Sequence, residues 1–412
     1  MRNLDYIRNE SEDSNAGNQP FALVTEKVKR SFAKWQNPNM LVPQFATGES
    51  EFNVKDVTVD LRDFSINPKD FLEASTNSEG QTTYRCSPDS LVTKTLQNTL
   101  QETYQKFGVV FITGNECIQS VEKMTAIRKL VIEESMDYQG GSNFRGKLHK
   151  NVYDTGAPAS AHLHYHHEMA YVKQSPKNIS FFCDAAPSGD RSNVGASYLS
   201  DNTKATYDIL QTPFGQKLKS KGLCYIRKLP DLDFFQKNRD LDPSVVYNFW
   251  QTSFRTNDPA EAEAIAKMEK GLEVEWEDHP VFGRYMVTKY YTSAFEYCPE
   301  TDSNHLFASV ADDHLWFDTW KGLEDMHPDD RPLKLNFGDD EEMTDQEKRL
   351  FIDVYDRNGF PLHWTRGDIL IFCNYRFAHG RPQYQLQGEE RREIGVTLGN
   401  TFTRMGPHDD KW

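Results

Sequence analysis

Between His162 and Tyr171 the chain reads His-Leu-His-Tyr-His-His-Glu-Met-Ala-Tyr, gathering four of its twelve histidines and a carboxylate into one segment. Imidazoles and carboxylates are metal ligands, and on an extended backbone alternate side chains share a face. His162, His164, His166 and Glu168 are then expected on one side, with Leu163, Tyr165, His167 and Met169 on the other. Two imidazoles and one carboxylate form the ligand set of a non-haem Fe(II) centre, which grips one triangular face of the ion and leaves three positions open. His166 and Glu168 supply two corners as His-x-Glu. The second histidine must come from elsewhere, because one short strand does not reach round to the remaining corner.

His379 is the candidate. Arg366, Gly367 and Asp368 make a turn that feeds the apolar run Ile369 to Cys373, and polar residues lead on to His379-Gly380-Arg381. This reads as a buried strand delivering His379 at its exit. Thirteen residues later Arg392 opens a further strand-like run, and a guanidinium fork there suits bidentate binding of a carboxylate. Arg391 competes with it, but alternation puts the two on opposite faces, so only one points inward.

Taken together, His-x-Glu before Met-Ala-Tyr, the distant Gly-Asp-Ile-Leu-Ile-Phe-x-Asn-x-x-x-x-His-Gly-Arg and the Arg-Arg pair resemble the TauD/clavaminate-synthase-like Fe(II)/2-oxoglutarate oxygenases, over roughly residues 100 to 404. The resemblance implies a mainly β fold with helices (α+β), namely a double-stranded β-helix (jelly roll) core with a long helical insertion at about 203–360 between the metal motifs. It further implies one catalytic domain over 51–412, behind a polar arm at 1–50. The implied cofactors are Fe(II), 2-oxoglutarate as cosubstrate and O2. His166, Glu168 and His379 become the metal ligands. Arg392 and Ser197, the latter standing where the family has Gly-x-Thr, hold the distal carboxylate of 2-oxoglutarate. The implied reaction converts the cosubstrate to succinate while an unactivated C–H is hydroxylated, desaturated or closed into a ring, as in clavaminate or kainoid formation. Halogenating relatives carry a small residue in place of the carboxylate ligand, so Glu168 argues against halogenation. Val396 occupies a position where some relatives carry a second cosubstrate arginine.

A small, amino-acid-derived and anionic substrate is expected, on the strength of the cationic stretch Arg145, Lys147 and Lys150. Candidate substrate contacts are Arg145, His164, Tyr165, His167, Tyr171 and Arg376. Arg376, Arg381 and Arg404 each read either as a contact for an anion or as a structural ion-pair partner.

Composition narrows the partners. A formal net charge of −15 disfavours nucleic acid and anionic membranes, since no Lys/Arg cluster reverses it. Residues 1–20 lack the apolar stretch of a secretory signal or membrane span, which points to a cytoplasmic protein. The six cysteines are scattered without a Cys-x-x-Cys pair, fitting buried thiols in a reducing compartment. Oligomeric state is not legible. Helices are expected at 90–107, 118–136, 203–210 and 259–270. Two rival readings exist: a zinc hydrolase using the histidine-rich 162–168 segment, and a non-catalytic cupin-like metal-binding protein.

Overall fold

An unbroken apolar strand needs cover on both faces, and Ile369–Cys373 has it. Ile369 and Ile371 pack with Val110, Ile112 and Phe182 against Leu96, Leu100, Met124 and Ile127, which two helices supply. Leu370 and Phe372 face the other way, into a layer with Phe181, Leu199, Phe360 and Phe377. The strand lies third in a seven-stranded sheet ordered Thr58–Asp60, Val109–Thr113, Ile369–Cys373, Gln174–Ala185, Glu393–Thr403, Val152–Asp154, Lys147–His149. A second sheet, ordered Gly359–Leu362, Ser197–Asp201, Phe377–Arg381, Leu163–His166, shares that apolar layer. Two sheets closed over one core are the expected jelly roll. The computed structural model describes residues 53–64, 66, 71–115, 118–136, 147–149, 152–154, 159, 162–233, 249–279, 283–309, 333–407 and 409. The arm at 1–50, Arg145, Lys150 and the side chain of Lys147 lie outside the described residues.

The helix Leu91–Phe107 starts where Ser90 accepts from Thr93 N and ends at Gly108, whose φ of 74° is left-handed. The second helix, expected over 118–136, covers only Val121–Arg128. The chain turns there because the buried Arg128 guanidinium donates to the Glu134 carbonyl and the Ser135 hydroxyl, while Met136 N bonds the Leu398 carbonyl. Those bonds draw the chain back onto the large sheet.

The insertion carries helices, as expected, and adds a sheet. Helices Asn202–Leu210, Pro213–Lys221 and Asp345–Arg357 are present, but they pack on a four-stranded antiparallel sheet ordered Glu273–His279, Gly283–Thr292, Leu223–Leu229, Leu333–Phe337. Leu223 and Tyr225 alternate into its core with Tyr290, Leu335 and Phe337. The acidic run Asp339 to Glu342 is solvated as expected, with Asp339 and Glu341 pairing Lys221 and Lys217.

The turn that launches Ile369–Cys373 contains a testable titration. Gly367 has φ 96°, and Asp368 Oδ2 accepts from Thr365 N at 2.7 Å. Asp368 is buried, and burial pushes its carboxyl up to about 7; the Thr365 N–H opposes this and Asp60 adds to it. A carboxyl whose folded pKa lies above its unfolded value stabilises fully at pH below about 4 and loses that contribution as pH rises toward 7. Asp368→Asn keeps the acceptor for Thr365 without titrating, so its melting temperature is expected to rise relative to wild type between pH 5 and pH 8. Melting curves at the two values check this, and a difference independent of pH would show that the carboxyl is already ionised.

Candidate active site

His166 and His379 face each other across adjacent antiparallel strands, as a directly paired position with ring centroids 4.2 Å apart. The rings of Phe181 and Phe372 lie 5.4 and 5.5 Å from that of His379 and wedge it in place. The His166 Nδ1 donates to the His164 carbonyl at 2.8 Å, which leaves Nε2 with its lone pair exposed as a ligand. Glu168 completes the triangle, its Oε2 3.7 Å from His379 Nε2.

Glu168 does not arrive by strand alternation. The strand ends at His166, and residues 168–172 form a turn in which Met169 has φ 58°. Asn374, fully buried, clasps that turn: its Oδ1 accepts from Glu168 N at 3.1 Å and its Nδ2 donates to the carbonyls of Glu168 at 3.1 Å and Pro176 at 2.9 Å. A carboxamide with both ends engaged sets the direction of the carboxylate beside it.

One donor atom from each of His166, Glu168 and His379 lies within 4.8 Å of the other two, and among the described residues this is the one group of three or more His, Cys, Asp or Glu that closes so. Such a triangle surrounds a single ion with bonds of about 2.1 Å after small ring rotations. Its donor set, two neutral imidazoles and a carboxylate on one side, fits Fe(II).

A second polar group lies on the same sheet. Ser197 opens the strand beside His379, in which His379 pairs Leu199 and Gly380 pairs Tyr198. Its hydroxyl accepts from Trp364 Nε1 at 2.9 Å, with Arg392 Nη2 at 3.4 Å, while Arg392 Nε donates to the Gly195 carbonyl at 2.7 Å. Gly195 is required there: at φ 71°, a Cβ on it would stand 2.5 Å from Arg392 Cδ. Arg391 turns outward to pair Glu393, so Arg392 is the arginine that points inward.

The remaining candidates scatter. His164 Nε2 lies 3.5 Å from Asp356 Oδ1; burial holds this imidazole down at about 3 and pushes the carboxyl up to about 8, so the pair is neutral at pH 7. Tyr165 stacks on Tyr355, and Tyr171 packs edge-on against Tyr225, both in the insertion core. His167 lies on Phe307 with Nδ1 at the Ala308 backbone, and burial lowers it to about 3. Tyr165, Tyr171 and His167 are thus buried in ring contacts. Arg376, expected near substrate, instead reaches the carbonyls of Gln105 and Lys106 at the end of the first helix, as a chain turning away from the centre allows. Arg404 is structural: fully buried, it pairs Glu296 and donates to the carbonyls of Ala170, Ser293 and Phe307. The partners of Asn374 and Arg404 carry no local sequence signal, because Glu168 lies 206 residues from Asn374 and Glu296 and Ala170 lie 108 and 234 residues from Arg404.

The zinc-hydrolase reading places an ion on the 162–168 segment, but among the described residues the one metal-sized group joins His166 and Glu168 to the distant His379. Five described cysteines are buried free thiols; Cys117 lies outside the described residues. No described helix is long and apolar enough to cross a membrane.

Comparison with known proteins identifies the family. A clavaminate synthase-like protein of Arabidopsis thaliana is 24% identical over 305 residues, covering 71% of this chain and 82% of its own length. The dapdiamide synthesis protein DdaC of Enterobacter agglomerans is 23% identical over 308 residues, covering 73% and 84%. Among solved structures, a putative alpha-ketoglutarate-dependent taurine dioxygenase from Burkholderia xenovorans is 14% identical with a TM-score of 0.43, over 82% of this chain and 93% of that one, a likeness too distant to bear on chemistry. The family model for the taurine catabolism dioxygenase TauD, TfdA family, matches residues 73–397, most of the chain. The chain is therefore a member of the TauD/TfdA family, the Fe(II)/2-oxoglutarate-dependent dioxygenases that act on small molecules.

Proposed function

We propose that His166, Glu168 and His379 hold the iron, that Arg392 and Ser197 hold the distal carboxylate of 2-oxoglutarate, and that the enzyme oxidises an unactivated C–H of a small, amino-acid-derived, anionic metabolite. The convergence of the three donors within 4.8 Å is the observation that carries this reading. Held there, Fe(II) would supply the O2 activation that couples the loss of CO2 from 2-oxoglutarate, giving succinate, to oxidation of the substrate C–H. The protein's part is to bind, orient and exclude water. Ser197 accepts from both Trp364 and Arg392, so its two lone pairs are taken and its own proton is left to donate to an incoming carboxylate. Arg392, held by Gly195, adds a charge-assisted contact to the same group. The aromatic pair Phe181 and Phe372 keeps His379 dry on its far side.

The substrate class draws support from the relatives' names, which concern clavaminate-type and dapdiamide synthesis. Hydroxylation, desaturation and ring closure are told apart by product mass. A succinate-release screen over small amino acids and their N-alkylated derivatives tests the class; release with neutral or cationic compounds alone would sink the anionic assignment. Arg392→Ala is expected to raise the KM for 2-oxoglutarate roughly 10- to 100-fold, corresponding to a lost charged hydrogen bond of about 1.5–3 kcal/mol. Steady-state kinetics with saturating prime substrate measures it, and an unchanged KM would remove Arg392 from the cosubstrate pocket.

A further inference from the structure

Two cysteines outside the metal centre sit on the segments that brace it. Cys298 closes the strand Phe295–Cys298, which forms a hairpin with Ser303–Leu306, and Cys373 closes Ile369–Cys373 in the large sheet. Three contacts bring these strand ends together. The Asn202 amide donates to the carbonyls of both Leu306 and Tyr375, at 2.7 and 2.6 Å. The rings of Phe307 and Tyr375 lie 5.9 Å apart, and Glu300 pairs Lys177, whose carbonyl accepts from Asn374 N at 2.8 Å. Both thiols therefore share one core, Cys298 0% and Cys373 3% exposed, and the Cys373 S–H donates toward the Cys298 sulfur. Each cysteine is also tied to the turn that carries Glu168. Asn374, which follows Cys373, clasps that turn, and the hairpin runs on through Phe307 to Ala308, whose carbonyl accepts from His167 N at 3.2 Å.

We infer that Cys298 and Cys373 are a dithiol oxidised by hydrogen peroxide, and that the disulfide they form pulls the Asn374 clasp away from Glu168. The two sulfurs have unequal roles. Hydrogen bonds from Cys373, and then from His305 and Thr301, hold the Cys298 thiol below its ordinary value against the opposing effect of burial, whereas Cys298 and burial hold Cys373 up. Cys298 is thus the nucleophile and Cys373 the resolving thiol. The Cys298 sulfur attacks one peroxide oxygen: an S–O bond forms, O–O breaks, and the thiol proton leaves through Glu300 Oε2, 3.4 Å away, to the departing hydroxide as water. The Cys373 sulfur then attacks that of Cys298: S–S forms, S–O breaks, and the Cys373 proton leaves with the hydroxyl as a second water. Two thiols lose two electrons and one peroxide gains them. Glu300, 40% exposed, marks the way in, and its charge together with the buried sulfurs favours a small neutral oxidant over a bulky anionic disulfide. Drawing the sulfurs from contact to a covalent length of about 2.0 Å moves the strand end on which Asn374 stands. Its effect on metal rests on Glu168 being a ligand, as proposed above.

The test treats the reduced full-length protein with a small excess of hydrogen peroxide, removes the excess with catalase, blocks remaining thiols with N-ethylmaleimide and maps peptides by mass without reductant. A peptide linking Cys298 to Cys373 is expected, lighter by two hydrogens than its two parts. Deuterium uptake over the turn 168–172 is expected to rise, and Mn(II) affinity to fall roughly 10- to 100-fold, with both restored by dithiothreitol. Cys298→Ser and Cys373→Ser are each expected to keep their Mn(II) affinity through peroxide treatment, and either one serves if the other does not fold. Loss in both variants equal to that in wild type would place the damage elsewhere and overturn the inference. Treated wild type with both thiols still free, or with Cys298 carried to the sulfinic acid and no link, would overturn it as well. So would a linked protein whose turn exchanges as before. A linked protein with a loosened turn and undiminished Mn(II) binding would uphold the dithiol and remove Glu168 from the metal set, which separates the two readings.

Discussion

His379→Ala is expected to leave a folded protein that no longer retains Fe(II) and no longer releases succinate from 2-oxoglutarate. His379 is one of three donors, and it closes the triangle from the far strand, 3.7 Å from Glu168. Loss of a group that merely supports a ligand costs about 10- to 100-fold in metal affinity or activity, and loss of the ligand itself should exceed that. The side chain is 9% exposed and its strand is held by pairing on both sides, so the fold should survive removal of the ring. Metal content after gel filtration, with a melting curve beside it, measures the effect. His164→Ala is the control, because His164 faces Asp356 rather than the triangle. Iron retained at one per chain in His379→Ala would remove this histidine from the centre.

The second large effect is on stability. Arg404 donates to four acceptors, Glu296 and the carbonyls of Ala170, Ser293 and Phe307, so one guanidinium joins the C-terminal segment, the insertion and the turn just past Glu168. Glu296 returns the bond to the backbone, accepting from Met405 N at 3.1 Å. Removing one partner of a buried ion pair strands the other charge, at a cost of roughly 3–5 kcal/mol. Arg404→Met is therefore expected to lower the unfolding free energy by about that amount in denaturant titrations. Arg404→Met with Glu296→Leu should recover much of it, because no charge is then left alone. A single variant as stable as wild type would mean that water or another group satisfies Glu296.

The grouping of His166, Glu168 and His379 is legible because its signals are local. His-x-Glu and the apolar run ending in His379 are short patterns; alternation lets only one of Arg391 and Arg392 point inward, and the Arg391–Glu393 ion pair leaves that place to Arg392. What the sequence hid depends on distant pairing. The insertion sheet joins Leu223–Leu229 to Gly283–Thr292 and to Leu333–Phe337, and no local period announces a partner that far along the chain. The helical pieces of this acidic, aromatic stretch are legible locally, whereas its strands are not. Glu168 shows the same limit at atomic scale: its place depends on a left-handed Met169, a residue type that gives no hint of positive φ, and on the distant amide of Asn374. The aromatic neighbours Tyr165 and Tyr171 looked suited to a substrate wall. They line the insertion core because that sheet, unseen in the sequence, covers them.

The central claim is that one face of this jelly roll holds an iron and a 2-oxo acid side by side. Anaerobic titration of Fe(II) into the protein with 2-oxoglutarate present tests it most directly, read as visible absorption. The account predicts a weak charge-transfer band that needs both components and saturates at one iron per chain. Absence of the band with iron demonstrably bound, or a protein that keeps zinc through purification and ignores 2-oxoglutarate, would contradict it.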